Sequence, residues 1–370
     1  MRSEKISKFL QERIDARDFP SAVYLVAEKG EIVLRDALGF AVAEPEKVKA
    51  RVDTIYDLAS LTKVLVAGLL SAKLIERGEI DLTDSVSKYF SEFNRDETRA
   101  ITIGNLLVHT SGLAAWKPFY LISDSRFRIP NSIAAEAFEN PVNSKVVYSD
   151  PNFLVLTFLL EKIYGQSLDK IAEKEILEPL GLKKTVFNPP ESLRNEIAAS
   201  EKGNEFEKQT CIESGYDVSQ YAWRDYPIWG EVHDGNCYFM NGVSGHAGLF
   251  SNAEETFKIA QQFLPRTTEL FKPETCALFR TNFTAGLNEA RSIAFQLAET
   301  EDSTASNALA KDSFGHLGFT GTSLWIEPET ERVFILLTNR THARALPFVN
   351  INSVRRRFHE LACSELRLQA

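Results

Sequence analysis

SLTKVLVAGLLSAKLI, residues 60–75, places a serine and a lysine one helical turn apart at the start of an apolar run. A helix that is apolar on nearly every side is expected to be buried, with Ser60 and Lys63 on the same face. Burial and the positive helix N-terminus both lower the pKa of a lysine, as a general base near neutral pH requires. The alternative is that Ser60 caps the helix and Lys63 extends its ammonium to solvent.

The same Ser-x-x-Lys spacing occurs at Ser85/Lys88 and at Ser167/Lys170, so the pattern alone has low specificity. Ser167 follows Gly165-Gln166 and opens an amphipathic segment, which indicates a helix N-cap. Ser85 follows Asp84 in a short polar segment that gives no sign of burial. Only the Ser60 motif opens a segment that must be buried, so it is the candidate for chemistry.

Two other segments carry reactive side chains. Residues 141–152, PVNSKVVYSDPN, present the phenol of Tyr148 and the carboxylate of Asp150 just before a predicted helix. A phenolate beside an ammonium group is a competent base or proton shuttle. Residues 314–321, FGHLGFTG, lead His316 into a strand whose glycines allow a ligand to approach the backbone. A tyrosine packed in a turn and a structural histidine in a bulge are the alternatives.

Composition excludes several classes of protein. The 370 residues are 44% hydrophobic and 25% charged with net charge −9, so we expect a globular protein and neither nucleic acid nor an anionic membrane as partner. Four cysteines lie far apart, which excludes a zinc ribbon and a disulfide framework. There is no HExxH, P-loop or GxGxxG motif, and the spacing of His233, Asp234 and His246 fits no metal site. We therefore expect no cofactor and no metal.

The first residues bear on location. Residues 1–14, MRSEKISKFLQERI, are charged throughout and have helical apolar spacing, unlike a secretory leader. The most apolar stretch, residues 64–75, contains Lys73 and is too short to span a bilayer. The expectation is a soluble cytoplasmic protein, unless a leader has been removed.

The pattern of predicted elements gives the fold class. Residues 21–40 read as a β-hairpin, and helical periodicity returns from about Ile351. Three more strands are predicted, and they are 291–298, 320–326 and 332–338. Between these ends the chain is mostly helical, with a polar surface excursion expected at 192–215. We predict an α+β fold with an antiparallel sheet of about five or more strands, flanked by terminal helices and carrying a helical insertion.

The predicted domain division follows from this order. Residues 1–59 and 285–370 form a sheet domain, residues 60–284 form a mainly helical domain, and the active site lies between them. Strands do not alternate with crossover helices, so a doubly wound parallel sheet is disfavoured.

Taken together, the motifs resemble the serine β-lactamase and penicillin-binding protein superfamily. The chain is most similar to the class C β-lactamase-related branch, which includes D-amino-acid peptidases and family VIII esterases. Ser60-Leu61-Thr62-Lys63 matches its S-x-x-K, Tyr148-Ser149-Asp150 falls at its Y-x-N, and His316-Leu317-Gly318 at its K-T-G or H-x-G. ITIGNLLVHTSGL at 101–113 is also similar, and the likeness extends from about residue 20 to 345. It implies the β-lactamase/transpeptidase-like fold.

The resemblance also implies roles. Ser60 would be the acylated nucleophile, and Lys63 and Tyr148 would share proton transfer, with Tyr148 protonating the leaving group. The backbone N–H groups of Ser60 and Phe319 would form the oxyanion hole. Substrate-binding positions would be Asp150, His316 and Gly318. The substrate would be a small ester, amide or peptide.

Departures from the family pattern affect the substrate prediction. Asp150 replaces an asparagine that donates to a substrate carbonyl, and its charge would raise the pKa of Lys63. Leu317 replaces a small hydroxyl residue, and His316 would be only partly charged at pH 7, so we expect a weak carboxylate site. Esterase or peptidase activity is therefore favoured over efficient β-lactam hydrolysis. A catalytically silent binding protein with this fold is the alternative.

Three further expectations concern neighbouring segments. His109 is predicted to be a structural loop histidine, and 355–357, three arginines, a solvated helix face. Aromatic loops at 116–127 and 221–240 are expected to shape the pocket. The sequence leaves the oligomeric state open.

Overall fold

Strands from both ends of the chain meet in one antiparallel sheet, in a computed structural model that describes residues 1–136 and 138–369. The seven strands of this sheet are β1 (Ser21–Glu28), β2 (Glu31–Val42), β3 (Val48–Lys49), β7 (Gln296–Leu297), β8 (Phe314–Leu317), β9 (Ser323–Glu327) and β10 (Arg332–Thr338). Their order is β3-β2-β1-β10-β9-β8-β7, and each neighbouring pair is antiparallel. A smaller sheet joins β4 (Tyr56–Asp57), β6 (Leu249–Ser251) and β5 (Val186–Phe187). The predicted α+β class with an antiparallel sheet is confirmed.

Helices make up most of the remaining regular structure. The α-helices are α1 (Glu4–Asp15), α2 (Leu69–Glu76), α3 (Ile103–Leu107), α4 (Phe119–Ile122), α5 (Ile129–Ala135), α6 (Asp150–Tyr164), α7 (Leu168–Ala172), α8 (Glu205–Glu213), α9 (Gly235–Phe239), α10 (Ala253–Ala260) and α11 (Asn352–Gln369). Two π-helical turns, Lys63–Gly68 and Glu173–Leu177, extend α2 and α7. Short 3₁₀ turns are Val86–Lys88, Ser91–Phe93, Arg126–Arg128, Glu191–Glu196, Gln261–Phe263, Pro273–Phe279 and Ser306–Ala308.

The sheet is buried on both faces. Successive side chains of a strand point to opposite faces, and in β1 Tyr24 packs against the terminal helices while Leu25 packs against the helical middle of the chain. The partner strand β10 repeats this alternation with Phe334 and Ile335. Helices α1 and α11 pack together on the first face, as the apolar periodicity at both ends predicts.

The apolar run after Ser60 forms the buried helix that the sequence predicts. Every residue from Leu61 to Ala72 is buried, and the helix packs directly on α6. The other two Ser-x-x-Lys serines behave differently. Ser85 caps a 3₁₀ turn by accepting from Ser87 N–H, and Lys88 is 57% exposed. Ser167 occupies an N-cap position without a side-chain hydrogen bond.

The strand predicted at 291–298 is mostly wrong. Only Gln296–Leu297 pairs with the sheet, because the chain turns at Ala294, whose φ is +62°. The turn is closed by Ser292 N–H donating to Phe295 O, while Ala294 N–H donates to Leu107 O. The apolar alternation there reflects burial against the helical region instead of strand pairing.

The surface excursion predicted at 192–215 is wrong for the middle of the segment. The segment contains α8, with Ile197, Ala199 and Cys211 fully buried, whereas its ends, at 192–195 and 212–215, are largely exposed. Its polar residues mislead because several are themselves buried, among them Glu201 and Glu207. Among the helices described, none is both long enough and apolar enough to cross a membrane.

Ile335→Ala should lower the free energy of unfolding by about 2–5 kcal/mol, because it opens a cavity in the middle of the sheet. Ile335 has no exposed surface and pairs with Leu25 and Leu324. Ile212→Ala is the matched control, since Ile212 on α8 is 54% exposed, and it should change stability by less than about 0.5 kcal/mol. Urea denaturation followed by circular dichroism measures both, and equal losses would contradict this packing.

Candidate active site

Ser60 lies between β4 and the buried helix, held in place by contacts on both sides. The preceding residue, Ala59, has φ +47° and donates its N–H to Asp57 Oδ1 over 2.8 Å. From the connection between β8 and β9 of the seven-stranded sheet, Thr320 Oγ1 donates to Asp57 O over 2.7 Å and Thr322 Oγ1 donates to Leu58 O over 2.9 Å. These bonds join the turn before Ser60 to the β8–β9 connection.

Lys63 has no exposed surface, and its Nζ is surrounded by acceptors. It donates to Ser60 Oγ and to His246 O, each over 3.0 Å, and it is ion-paired with Asp150 Oδ1 at 2.7 Å. Burial lowers the pKa of Lys63, but the charge of Asp150, helped by Tyr148, outweighs burial and the net shift is upward. The lowered pKa expected from burial alone is therefore not found.

Tyr148 stands directly before α6, between Lys63 and Arg291. Lys63 Nζ lies 5.0 Å from the ring centroid and the Arg291 guanidinium 5.4 Å. Burial raises the pKa of Tyr148 despite the opposing charge of Lys63, so the phenol and not the phenolate is its resting form. Its hydroxyl is buried and makes no hydrogen bond to any described residue.

Asp150 opens α6, and the turn that carries it is fixed by backbone contacts. Asp150 N–H donates to Ala115 O over 2.9 Å, and Ser149 Oγ donates to Ala114 O over 2.7 Å. Ser149 N–H donates to His109 Nδ1 over 3.0 Å, so His109 has the structural role predicted for it. The Asp150 side chain, 16% exposed, faces Lys63 on one side and the cavity on the other.

The backbone N–H groups of Ser60 and Phe319 have no acceptor among the residues described. Both residues line the same cavities. Gly318 allows this close approach, because a Cβ on it would lie 2.5 Å from Leu58 O. Unpaired backbone donors that share a cavity with a serine hydroxyl are the kind of group that can stabilise an oxyanion.

The protonation of His316 differs from the prediction. Its Nδ1 donates to Leu317 O over 2.8 Å, which leaves Nε2 as a buried acceptor without a partner among the described residues. Burial, reinforced by Arg291 and Lys63, lowers the pKa of His316 well below its ordinary value. The imidazole is therefore neutral at pH 7, and the partial charge predicted for it is wrong.

Arginines supply the positive charge on this side of Ser60. A cavity of about 420 Å³ is lined by Ser60, His316, Arg291, Arg340 and Arg355. Arg355 is only 6% exposed and donates to Gly318 O and Thr322 O, each over 2.9 Å. The solvated face predicted for 355–357 is wrong at Arg355, because the first turn of α11 packs against the β8–β9 connection.

A second cavity, of about 350 Å³, opens on the other side of Ser60. Its walls combine the aromatic rings of Trp116 and Phe206 with the carboxylates of Asp150, Glu207 and Asp234. Burial and the charge of Asp234 raise the pKa of Glu207 to about 7. Phe206 and Glu207 were missed by sequence reasoning because α8 lies in the polar segment 192–215.

The histidines near this cavity are each paired with a carboxylate. His233 Nε2 lies 2.7 Å from Glu201 Oε2, and His246 Nε2 lies 2.9 Å from Asp234 Oδ1. In the described part of the chain no group of three or more His, Cys, Asp or Glu side chains is placed to hold a metal ion. His246 contributes to the site through its carbonyl, which accepts from Lys63.

The chain is similar in sequence and in fold to several known proteins. A protein called "Putative D-alanyl-D-alanine carboxypeptidase" from Salmonella paratyphi B is 33% identical over 386 residues, covering 94% of this chain and 85% of the relative. A penicillin-binding protein homologue from Caulobacter crescentus has TM-score 0.75 and 16% identity, covering 99% of this chain and 98% of its own. EstCE1, a hydrolase with promiscuous acyltransferase activity, has TM-score 0.72 and 20% identity, covering 96% and 97%.

The family model described as Beta-lactamase matches residues 6–352, which is nearly the whole chain. With the buried Ser-x-x-Lys pair, this match confirms the resemblance found in the sequence. The chain belongs to the beta-lactamase family of serine hydrolases.

Proposed function

We propose that the protein hydrolyses an ester or amide through an acyl-enzyme on Ser60. The observation that carries this proposal is the 3.0 Å contact between Ser60 Oγ and the buried Lys63 Nζ. The unpaired N–H groups of Ser60 and Phe319 support it, since both residues line the two cavities beside the hydroxyl.

The proposed reaction has two halves. Ser60 Oγ attacks the substrate carbonyl while its proton passes to the base formed by Lys63 and the groups around it. The N–H groups of Ser60 and Phe319 stabilise the resulting oxyanion. The neutral phenol of Tyr148 then donates its proton to the leaving group as the bond breaks. In the second half, water attacks the acyl group on Ser60, the carboxylic acid is released, and the Ser60 hydroxyl is restored.

The arginine-lined cavity supports a leaving group that carries a carboxylate. Arg291 Nε and Nη1 are buried without a hydrogen-bond partner among the described residues, and so is Arg355 Nε. Buried donors of this kind gain most from an anion, because charge-assisted hydrogen bonds then replace unsatisfied ones. A peptide with a free C-terminal carboxylate fits this cavity, in keeping with the name of the Salmonella relative. Arg291 Nη2 is already ion-paired with Glu289 at 2.7 Å, but a simple neutral ester would leave the unpaired N–H groups without an anionic acceptor.

The ion pair between Lys63 and Asp150 favours a second candidate function. An ammonium group held at 2.7 Å from a carboxylate is a poor base on its own. The same site would then bind a carboxylate ligand without turning it over, as a catalytically silent member of the family.

Ser60→Ala should lower hydrolysis of p-nitrophenyl butyrate and of a peptide ending in D-Ala-D-Ala by at least about 1000-fold, because the nucleophile is lost. Mass spectrometry after treatment with a fluorophosphonate should show one adduct on Ser60. Ser85→Ala is the matched control, since Ser85 begins a Ser-x-x-Lys motif at the protein surface, and it should retain full activity.

Other results would decide against the nucleophile. Equal activity in the wild type and Ser60→Ala would refute the assignment of Ser60. A folded wild type that binds the peptide, yet neither cleaves it nor forms an adduct, would favour the silent binding protein.

Arg291→Gln should reduce kcat/KM about 10- to 100-fold for a peptide with a free C-terminal carboxylate, because a charge-assisted contact is lost. The same peptide as its C-terminal amide should be cleaved at a nearly unchanged rate. Arg357→Gln is the control, because Arg357 is 54% exposed on α11 and outside the cavity. An equal loss for both peptides would contradict a carboxylate site at Arg291.

A further inference from the structure

Lys63 has no free lone pair in the resting site. Its Nζ donates to Ser60 Oγ and to His246 O, each over 3.0 Å, and it is ion-paired with Asp150 Oδ1 at 2.7 Å. This is the environment of an ammonium ion, because a neutral amine would leave the buried Asp150 carboxylate without its cation. A proton can reach Lys63 from Ser60 only if another proton leaves Lys63.

Of these three groups around Lys63 Nζ, Asp150 is the one that can take a proton. A backbone carbonyl is far too weak a base, and Ser60 Oγ is the group being deprotonated. The Asp150 contact is also the shortest of the three. Asp150 cannot donate to a substrate carbonyl while it is ionised, so replacing an amide here brings a proton acceptor and removes a donor.

We propose that Lys63 and Asp150 act together as the base, with Lys63 relaying the Ser60 proton and Asp150 storing it. This rests on the proposed acyl-transfer function and adds the identity of the proton acceptor. Asp150 acts through Lys63, so it is a positioning and proton-storing residue, and Ser60 remains the group that touches the substrate carbon.

The relay balances at each step. The Ser60 O–H bond breaks as Oγ bonds the carbonyl carbon, and the electron pair of the C=O bond moves to the carbonyl oxygen. Lys63 Nζ gains the Ser60 proton and gives another to Asp150 Oδ1, so Lys63 is an ammonium before and after. When the bond to the leaving group breaks, Tyr148 supplies its proton, Lys63 reprotonates Tyr148, and Asp150 returns the stored proton to Lys63.

The relay avoids a costly state of the buried site. If Lys63 simply released its proton to become a free amine, Asp150 would be left as a carboxylate without its cation. Breaking a buried ion pair in this way is strongly unfavourable, because one charge loses its compensation. Moving the proton within the pair gives a neutral Asp150 beside an ammonium, and the negative charge lost from Asp150 reappears on the oxyanion, so the net charge of the site is unchanged.

Several other titratable or charged groups lie near Lys63 and could affect its proton transfer. They are Tyr148, Asp150, Asp234 with its partner His246, Cys237, His109, His316 and Arg291. Burial lowers the pKa of His109 and of His316 well below the ordinary value, which favours their neutral forms near neutral pH. Burial raises the pKa of Cys237 and Tyr148, so these also keep their protons near neutral pH.

The competing mechanism makes the opposite pH prediction. If Lys63 acts as a free amine and Asp150 merely raises its pKa, acylation by the wild type should require alkaline pH. Removal of the Asp150 charge should then shift the acid limb of the rate profile to lower pH. In the relay, the wild type needs only an ionised Asp150, and its removal should shift the limb to higher pH, where an amine must serve as base.

The experiment measures the rate of fluorophosphonate labelling of Ser60 from pH 4 to 10 in the full-length protein. We expect a wild-type acid limb below neutral pH, and for Asp150→Asn an upward shift of about one pH unit or more. At pH 6 the Asp150→Asn rate should be at least about 10-fold below that of the wild type. Asp150→Glu, which keeps a carboxylate, should bring the limb back toward the wild-type position.

Asp84→Asn is the matched control. It removes the carboxylate from an exposed Lys–Asp pair in which Lys88 Nζ lies 2.9 Å from Asp84 Oδ1. Its labelling profile should superimpose on that of the wild type.

A downward shift, or no shift, in Asp150→Asn would overturn the relay. If that variant fails to fold, the wild type alone decides, because an acid limb at alkaline pH would also overturn it. Failure of the proposed function is distinct, since the wild type would then take no label on Ser60 at any pH.

Discussion

A lysine ammonium buried without any exposed surface is the constraint on which the site depends. A charge in such a position must be paired and hydrogen-bonded, since its transfer from water otherwise costs many kcal/mol. The partners of Lys63 are Ser60, one helical turn away, and Asp150 and the carbonyl of His246, which come from two segments distant in sequence. Satisfying one charge therefore brings together the start of the buried helix, the start of α6 and the loop before β6.

The two cavities beside Ser60 are lined by side chains of opposite charge. Arg291, Arg340 and Arg355 line the cavity on one side of Ser60, and Asp150, Glu207 and Asp234 line the other. Because burial leaves these groups poorly screened, each cavity favours a different end of a substrate. Under the proposed function, this division would orient the substrate, with a carboxylate-bearing leaving group on the side of the arginines.

Local motifs located the candidate site more reliably than they located the secondary structure around it. Ser60, Tyr148 and His316 line one cavity and Lys63 contacts Ser60, and each of these residues belongs to a short pattern readable in one segment. Arg355 was misassigned because an arginine on a helix is usually solvated, and its burial depends on α11 meeting the β8–β9 connection. Likewise, the polar composition of 192–215 concealed a segment that supplies Phe206 and Glu207 to the second cavity.

The sequence by itself determined the buried helix after Ser60, the antiparallel sheet from both chain ends and the family, because periodicity and short motifs depend on neighbouring residues. The sequence also placed two opposing influences on the pKa of Lys63, burial and the charge of Asp150, and only the tertiary structure decided which of them is larger. Burial alone would lower the pKa of Lys63, but Asp150, 87 residues away along the chain, lies 2.7 Å from it and reverses the shift. The balance between desolvation and a paired charge depends on distance in space, which sequence spacing does not contain.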